Sequence, residues 1–451
     1  MLAMDADNLA IPRAQVTAGE SEKYLTEFRI GRRHYTQQYN KLYYKRLETL
    51  KPFVQKHAQH KWEKHGHKQP IQLTQKVLNV EGPEPTYIIG SIFIDTPEKP
   101  STLEQVEKTH WITDTEFAGK YRGPDDALYL EDESGRIRLV GKAIEGISVA
   151  SGVIIAAMGS ETANGDFDVV DICFAGMAPQ PQRRFSTEDK YVALVSGFNA
   201  TVESPVTLEM QLLAEYLAGT MGSEEDQRRS AQIVQTVVLG QIIEMPEPPL
   251  GHTEDAKVND RKPVQQLLAT VDAFLADIAG AMPLTLLPGK SDPADISMPQ
   301  QPLHPSLFAH CKQYSGFRTA TNPAYFEIDG TLVLASAGQN VDDLCHYAVR
   351  DETPCQLAAR TLQWRHIAPS APDTLWSYPF TEYDPFVVRN TPHVYVVGNQ
   401  KKFDICVAEG TDGQTSQMIM VPGFKQSHSI VLLNLRTLEC TQVHIGALAT
   451  H

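Results

Sequence analysis

Cysteine is sparse and unpatterned in this 451-residue chain. The six cysteines, Cys173, Cys311, Cys345, Cys355, Cys406 and Cys440, form no CxxC or similarly close pair. That spacing excludes a zinc ribbon or a disulfide framework and predicts buried, reduced thiols in a cytosolic or nuclear protein. No run of about 18 apolar residues occurs, so no membrane-spanning helix is expected. The opening residues, MLAMDADNLAIPRAQV, lack a basic stretch followed by an apolar one, and no secretory leader is expected. Positive charge is also in deficit. Lys and Arg number 40 against 55 Asp and Glu, a formal net charge of −15. Affinity for nucleic acid comes largely from Lys and Arg neutralising phosphates, so a role near DNA is expected to run mainly through a partner. Internal repeats and long low-complexity tracts are missing as well.

Hydrophobic residues make up 42% of the chain, enough for several packed cores. Residues 1–66 read as an N-terminal helical segment. From 22 to about 64, Tyr35, Tyr39, Leu42, Tyr43, Leu47, Leu50 and Val54 recur at three- and four-residue steps, with Pro52 expected to break the helix or open a second one. His57, His60, His65 and His67 follow closely, but no cysteine or carboxylate completes a zinc spacing, and a solvated loop is expected there. Residues 67–180 read as all-β, with strands at 71–80, 87–95, 127–132, 137–140, 153–158 and 167–174. Turns are expected at Glu133-Ser134-Gly135 and at Asn164-Gly165, the latter as type I′. Strands this short and this many suggest a Greek-key barrel such as the OB-fold. Its aromatics, Tyr87, Phe93, Tyr129, Phe167 and Phe174, are flanked as much by acids as by bases, which favours a protein contact over direct binding of single strands.

A polar linker is expected at 177–190, and the texture then becomes α/β through 181–451. Buried-type strands are expected at 191–195, 236–239, 284–287, 331–335 and 394–397, with helices at 208–221 and 264–282 and an exposed Pro-rich loop at 245–261. Four of these strands run into short loops: Ser196-Gly197-Phe198-Asn199, Gly240-Gln241-Ile242-Ile243-Glu244, Gly289-Lys290-Ser291-Asp292 and Gly398-Asn399-Gln400-Lys401. Catalytic and binding groups of α/β proteins sit at such strand ends.

The order of these loops resembles the calcineurin-like metallophosphoesterases, which place Asp-x-His, Gly-Asp-x-x-Asp, Gly-Asn-His-Asp/Glu and Gly-His-x-His there. Those carboxylates and imidazoles hold two divalent metals about 3.5–4 Å apart, and the metals activate water against phosphorus. Here Gly197 and Asn199 stand for Asp and His, Gln241 for the bridging Asp, Glu244 for the next Asp, Lys290 and Ser291 for Asn and His, and Asn399 and Lys401 for histidines. Only Glu244 and Asp292 keep ligand chemistry, and a lysine where an amide ligand belongs would repel dications. The expectation is therefore a degenerate site with no catalytic residue, no metal and no cofactor.

The surrounding blocks are Pro299-Gln300-Gln301-Pro302-Leu303-His304-Pro305, Thr321-Asn322-Pro323, Phe326-Glu327-Ile328-Asp329-Gly330, Ser336 to Asp343, and Arg365-His366-Ile367-Ala368-Pro369-Ser370-Ala371-Pro372-Asp373-Thr374-Leu375. With Tyr378-Pro379-Phe380 and Asp384-Pro385-Phe386 they resemble the small (B) subunits of the eukaryotic replicative DNA polymerases, the delta branch above all. The likeness includes Arg122-Gly123-Pro124-Asp125-Asp126 and Cys173-Phe174-Ala175 and runs from about Tyr24 to near the C-terminus. It implies an OB-fold barrel joined to an inactive calcineurin-like phosphoesterase domain, a β-sandwich flanked by helices, with N-terminal helices ahead of both. It implies a nuclear, non-catalytic scaffold for DNA replication and repair. Its partners would be the cysteine-rich C-terminal domain of the polymerase delta catalytic subunit and a third, elongated subunit, with polymerase zeta as a further user. Two other readings stay open: an active metal-dependent phosphodiesterase or nuclease, and a single-strand DNA binder acting through the barrel. His366 reads as a leftover motif histidine or as a hydrogen-bonded structural residue. The Pro-rich blocks read equally as rigid contact surfaces or as braces of the core.

Overall fold

The computed structural model describes residues 12–16, 24, 26–34, 36–63, 71–99, 119–184, 186–245 and 261–446. Helix α1, Asn40–Glu63, precedes a barrel built from β1 Gln72–Leu73, β2 Thr86–Asp95, β3 Ala127–Glu131, β4 Arg136–Val140, β5 Ile154–Glu161 and β6 Phe167–Phe174. The order β1-β2-β3-β4-β6-β5 closes through a second pairing of β2 with β5, so five strands form the barrel and β1 lies on its rim. Alternation puts Ile88, Ile92, Ile94, Leu128, Leu130, Leu139, Phe167 and Val169 inside.

Beyond it lie β7 Tyr191–Val195, α2 Leu208–Ala218, α3 Glu224–Ala231, β8 Ile233–Leu239, α4 Arg261–Ala281, β9 Leu284–Leu287, β10 Phe317–Thr319, β11 Ala324–Ile328 and β12 Thr331–Ser336. They are followed by α5 Gln339–Tyr347, α6 Pro354–Trp364, β13 Val394–Gln400, β14 Asp404–Glu409, β15 Thr415–Pro422, α7 Phe424–Ser427, β16 Ser429–Asn434 and β17 Cys440–His444. The strands form two sheets, β10-β9-β8-β7-β16-β17 and β11-β12-β13-β15-β14. Val192, Leu194, Val237, Leu239, Val333, Val396, Ile419, Val431 and Leu433 fill the space between them, so the unit is a two-sheet sandwich. α2 and α4 cover the first sheet, and α5 and α6 cover the second. Leu344, Tyr347, Leu357 and Trp364 of α5 and α6 also enter the barrel's own apolar cluster, which makes the two units continuous in packing.

Several expectations need correction. Residues 26–34 and 36–39 are not helical, because Phe28 is drawn against Tyr325 and Phe386 and its carbonyl accepts from Gln301 Nε2 at 3.0 Å. Pro52 lies inside a single helix. Interior proline costs about 3 kcal/mol, whereas fully burying one Leu or Val gains roughly 1.5–3 kcal/mol. Leu50, Val54 and Ala58, all fully buried against β2 and β5, therefore hold both halves of α1 in line. His57 and His60 are part of that helix instead of a loop, while His65 and His67 lie outside the described residues. The expected strand at 71–80 shrinks to β1 and a short 3-10 turn at Val77–Asn79, whose first N–H is taken by Asp132 at 2.8 Å. At Asn164-Gly165 only the glycine has positive φ, so the turn is not type I′. The polar stretch after Met177 is a packed strap: Ala178 is fully buried, and Thr391 donates to the Ala178 carbonyl at 2.7 Å. Finally, Cys355 of α6 and Cys406 of β14 form a disulfide across packed elements with Cα atoms 6.1 Å apart, so only Cys173, Cys311, Cys345 and Cys440 are free thiols.

Candidate functional site

The four strand-end loops meet at one edge of the sandwich and are stitched by backbone. Gly197 N–H donates to the Gly240 carbonyl at 3.1 Å, and Asn199 N–H donates to that of Gln241 at 2.9 Å. Lys425 N–H closes the other side on the Gly197 carbonyl at 3.0 Å. The turns are tight: Gly197, Asn199, Gly240, Gln241 and Asn399 all have positive φ. Asparagine tolerates that region better than most residues, and a glutamine there is uncommon. A Cβ on Gly197 would stand 2.8 Å from Asn399 Oδ1, so a side chain of aspartate size does not fit without movement.

Asn399, Ser291 and Asp292 hold the loops through their side chains. Asn399 donates through Nδ2 to the carbonyls of Leu239 (2.9 Å) and Ala337 (2.7 Å), and its N–H donates to Ser196 Oγ at 2.9 Å. Ser291 Oγ donates to the Ile243 carbonyl at 2.6 Å. Asp292 is the centre of the arrangement. Its Oδ2 accepts from the N–H groups of Gln241 and Gly289, both at 2.7 Å, and its Oδ1 from those of Ile242 (2.8 Å) and Ile243 (3.2 Å). Burial pushes this carboxyl up to about 6, while the four N–H donors pull it down. Glu244 is half-exposed and ion-paired with Lys425 at 2.8 Å. Lys290 and Lys401 are exposed beside the cluster.

Two divalent metals do not fit this donor set. Among the described residues no three His, Cys, Asp or Glu side chains come together as a ligand group. The two carboxylates expected to keep ligand chemistry are otherwise engaged: Asp292 is saturated by backbone donors, and Glu244 faces a lysine. The arrangement can brace loops, and it offers no pair of metal-bridging oxygens.

Behind the loops, the sequence blocks converge as amide chemistry. Asn322 Nδ2 donates to Gln300 Oε1 at 2.8 Å and to Gln339 Oε1 at 2.9 Å, Ala337 N–H donates to Asn322 Oδ1 at 2.9 Å, and Gln300 Nε2 donates to the Gly289 carbonyl at 3.1 Å. Asn340 Nδ2 ties the Ile367 carbonyl and the Tyr395 hydroxyl, both at 2.8 Å.

Sequence reasoning missed Arg46. This fully buried arginine of α1 donates to Asp384 Oδ2 at 2.8 Å, to the carbonyls of Pro369 and Ala371 at 2.6 Å, and to that of Gly152 in the barrel at 3.3 Å. Asp384 also receives His366 Nε2 at 2.9 Å. Since His366 Nδ1 accepts from Ala368 N–H at 3.3 Å, the ring is the neutral Nε2–H tautomer. Burial and the nearby guanidinium lower His366 to about 4, and His366 and Arg46 hold Asp384 far below the usual carboxylate range. His366 is thus a hydrogen-bonded structural residue. The only sequence signal for Arg46 was a charge on the apolar stripe of α1, between Leu42 and Leu47.

Residues 38–172 match the family described as the DNA polymerase delta subunit OB-fold domain, and residues 192–405 match the family of DNA polymerase alpha/epsilon B subunits. The chain is similar to the DNA polymerase delta small subunit of Arabidopsis thaliana, 38% identical over 405 residues and covering 90% of each chain. It is 37% identical over 413 residues to the same-named protein of Oryza sativa subsp. japonica, covering 91% of this chain and 94% of that one. It is 32% identical over 484 residues to that of Saccharomyces cerevisiae, covering 97% and 96%.

Proposed function

The chain belongs to the family of DNA polymerase delta small subunits, and from that premise we propose that it is the accessory subunit that assembles this polymerase without contributing chemistry of its own. In this reading the sandwich descends from a calcineurin-like phosphoesterase, and Gly197, Asn199, Gln241, Glu244, Lys290, Ser291, Asn399 and Lys401 occupy the positions of its lost metal ligands. The observation that carries the reading is Asp292, whose carboxylate is spent on four backbone N–H groups. A loop cluster that folds around its last buried carboxylate has no need of metals to hold its shape.

The partners are the cysteine-rich C-terminal domain of the catalytic subunit and a third, elongated subunit, in the nucleus, with polymerase zeta as a second user. Residues 1–66, 67–180 and 181–451 would serve as the helical, barrel and phosphoesterase-like parts of one scaffold. Support for a rigid scaffold comes from Arg46, which ties the helix, the barrel and the sandwich in one buried contact. Co-expression with the catalytic subunit's C-terminal domain tests this: the two should co-purify through size exclusion at a fixed ratio. Separate elution would overturn the assignment of that partner.

A further inference from the structure

The turn that follows β2 carries a hydroxyl in a distinctive setting. The chain has four Ser-Pro or Thr-Pro pairs, beginning at Thr96, Ser204, Thr353 and Thr391. Only Thr96 has a base three residues on, in Thr96-Pro97-Glu98-Lys99; the others have Thr207, Gln356 and Val394 at that place. Thr353 is also engaged as the cap of α6, and Thr391 is fully buried. The pairing of β2 with β3 ends at Asp95, so the four residues lie past the strand ladder, with Pro97 and Glu98 exposed. Both ends of the turn are moored toward the sandwich. Thr96 Oγ1 donates to the Tyr121 carbonyl at 2.8 Å. Tyr121 in turn sits on α5, its N–H donating to the His346 carbonyl at 2.8 Å and its ring 5.0 Å from that of Tyr347. At the other end, Lys99 Nζ pairs with Asp373 of the sandwich.

We propose that Thr96 is a phosphorylation site for a proline-directed Ser/Thr kinase, and that its phosphate loosens the seam between the barrel and α5. The residue pattern has a physical reading. Proline after the hydroxyl has no N–H to leave unpaired against the kinase, and a base three residues on supplies a charged contact to an acidic group there. In the transfer, Thr96 Oγ1 bonds to the γ-phosphorus of ATP while the bond from that phosphorus to the β–γ bridging oxygen breaks. ADP leaves, and the hydroxyl proton passes to the kinase's base. Access requires the Thr96 hydrogen bond and the Lys99 ion pair to open, and both are single contacts of modest strength at a part-buried edge. The product cannot close again in the same way. A phosphorylated Oγ1 has no proton for the Tyr121 carbonyl, and it brings a charge of about −2 into a turn that already carries Asp95 and Glu98. Lys99 is the turn's own cation, and pairing with the phosphate draws it away from Asp373. One modification thus releases both moorings.

The test incubates the full folded chain with ATP and a purified kinase of the cyclin-dependent class, and maps phosphate by peptide mass spectrometry. Phosphate is expected on Thr96. It should be lost there in Thr96→Val and fall about tenfold in Pro97→Ala, which keeps the hydroxyl and alters an exposed ring. Phosphate confined to other residues overturns the proposal, as does modification of Thr96 only after unfolding in urea, or a Pro97→Ala variant modified like the parent. Hydrogen exchange on the phosphorylated, otherwise unaltered chain reads the seam, so this arm stands even if Thr96→Val folds poorly. Amides within 96–99 and 119–122 should exchange about tenfold faster than before phosphorylation, while those of α2 at 208–218 keep their rates. Unchanged exchange at 119–122 in the phosphorylated chain overturns the loosening of the seam.

Discussion

At the scale of single residues, two carboxylates describe the molecule's chemistry. Asp292 is buried at the strand-end loops and anchors four backbone N–H groups. Asp292→Asn keeps the size but turns an NH2 toward two of those donors. Leaving buried donors unpaired costs about 1–3 kcal/mol each, so urea unfolding should show a loss of roughly 2–4 kcal/mol. Asp384 works with His366 and gives a pH signature. His366 titrates at about 4 when folded against 6.5 unfolded, so its contribution is complete above pH 6.5 and is lost as pH falls through 4. Asp384, depressed in the fold, adds further loss below the ordinary aspartate range. The histidine alone is worth roughly 3 kcal/mol across that window. Asp292, raised to about 6, works the other way over the same range, so the histidine's share is read as the difference between the parent and His366→Gln, which cannot titrate, in urea unfolding at pH 7 and pH 4.5.

At the scale of elements, the turn at Gly152 is where barrel and sandwich are pressed together. Its φ is +89°, and a Cβ there would overlap the Pro369 carbonyl and Arg46 Nη1. Gly152→Ala should therefore cost about 3 kcal/mol or more from left-handed strain and collision combined, seen as a lower melting temperature and earlier proteolysis at the junction. Sequence patterning located β2 to β8, α2 and α4 closely because their periodicities are local. It failed where distant contacts decide. Pro52 stays within α1 because the barrel holds both flanks, and residues 26–34 leave the helical path because Phe28 seats on Tyr325 and Phe386. The edge strands β14 and β17 went unread, since their outward positions carry mixed polar and apolar residues with no clean alternation. The disulfide between Cys355 and Cys406 could not be seen either, as cysteines 51 residues apart carry no pairing signal until α6 packs on β14.

At the scale of the whole molecule, three buried devices, the strand-end loops around Asp292, the Asn322 amide network and the Arg46 contact, hold the folded units as one body. The loop positions were legible as the ends of buried-type strands. What their side chains do was not legible, because hydrogen bonds to backbone depend on loop geometry and leave no trace in spacing. A scaffold built this way should keep its shape in chelator, and its melting temperature should be the same in EDTA and in manganese. The most direct test of a fold kept for its surfaces is hydrolysis of a nitrophenyl phosphodiester by the purified chain in manganese. The expected result is no turnover above buffer, for the parent and for Glu244→Ala alike; turnover by the parent that disappears in Glu244→Ala would contradict the account.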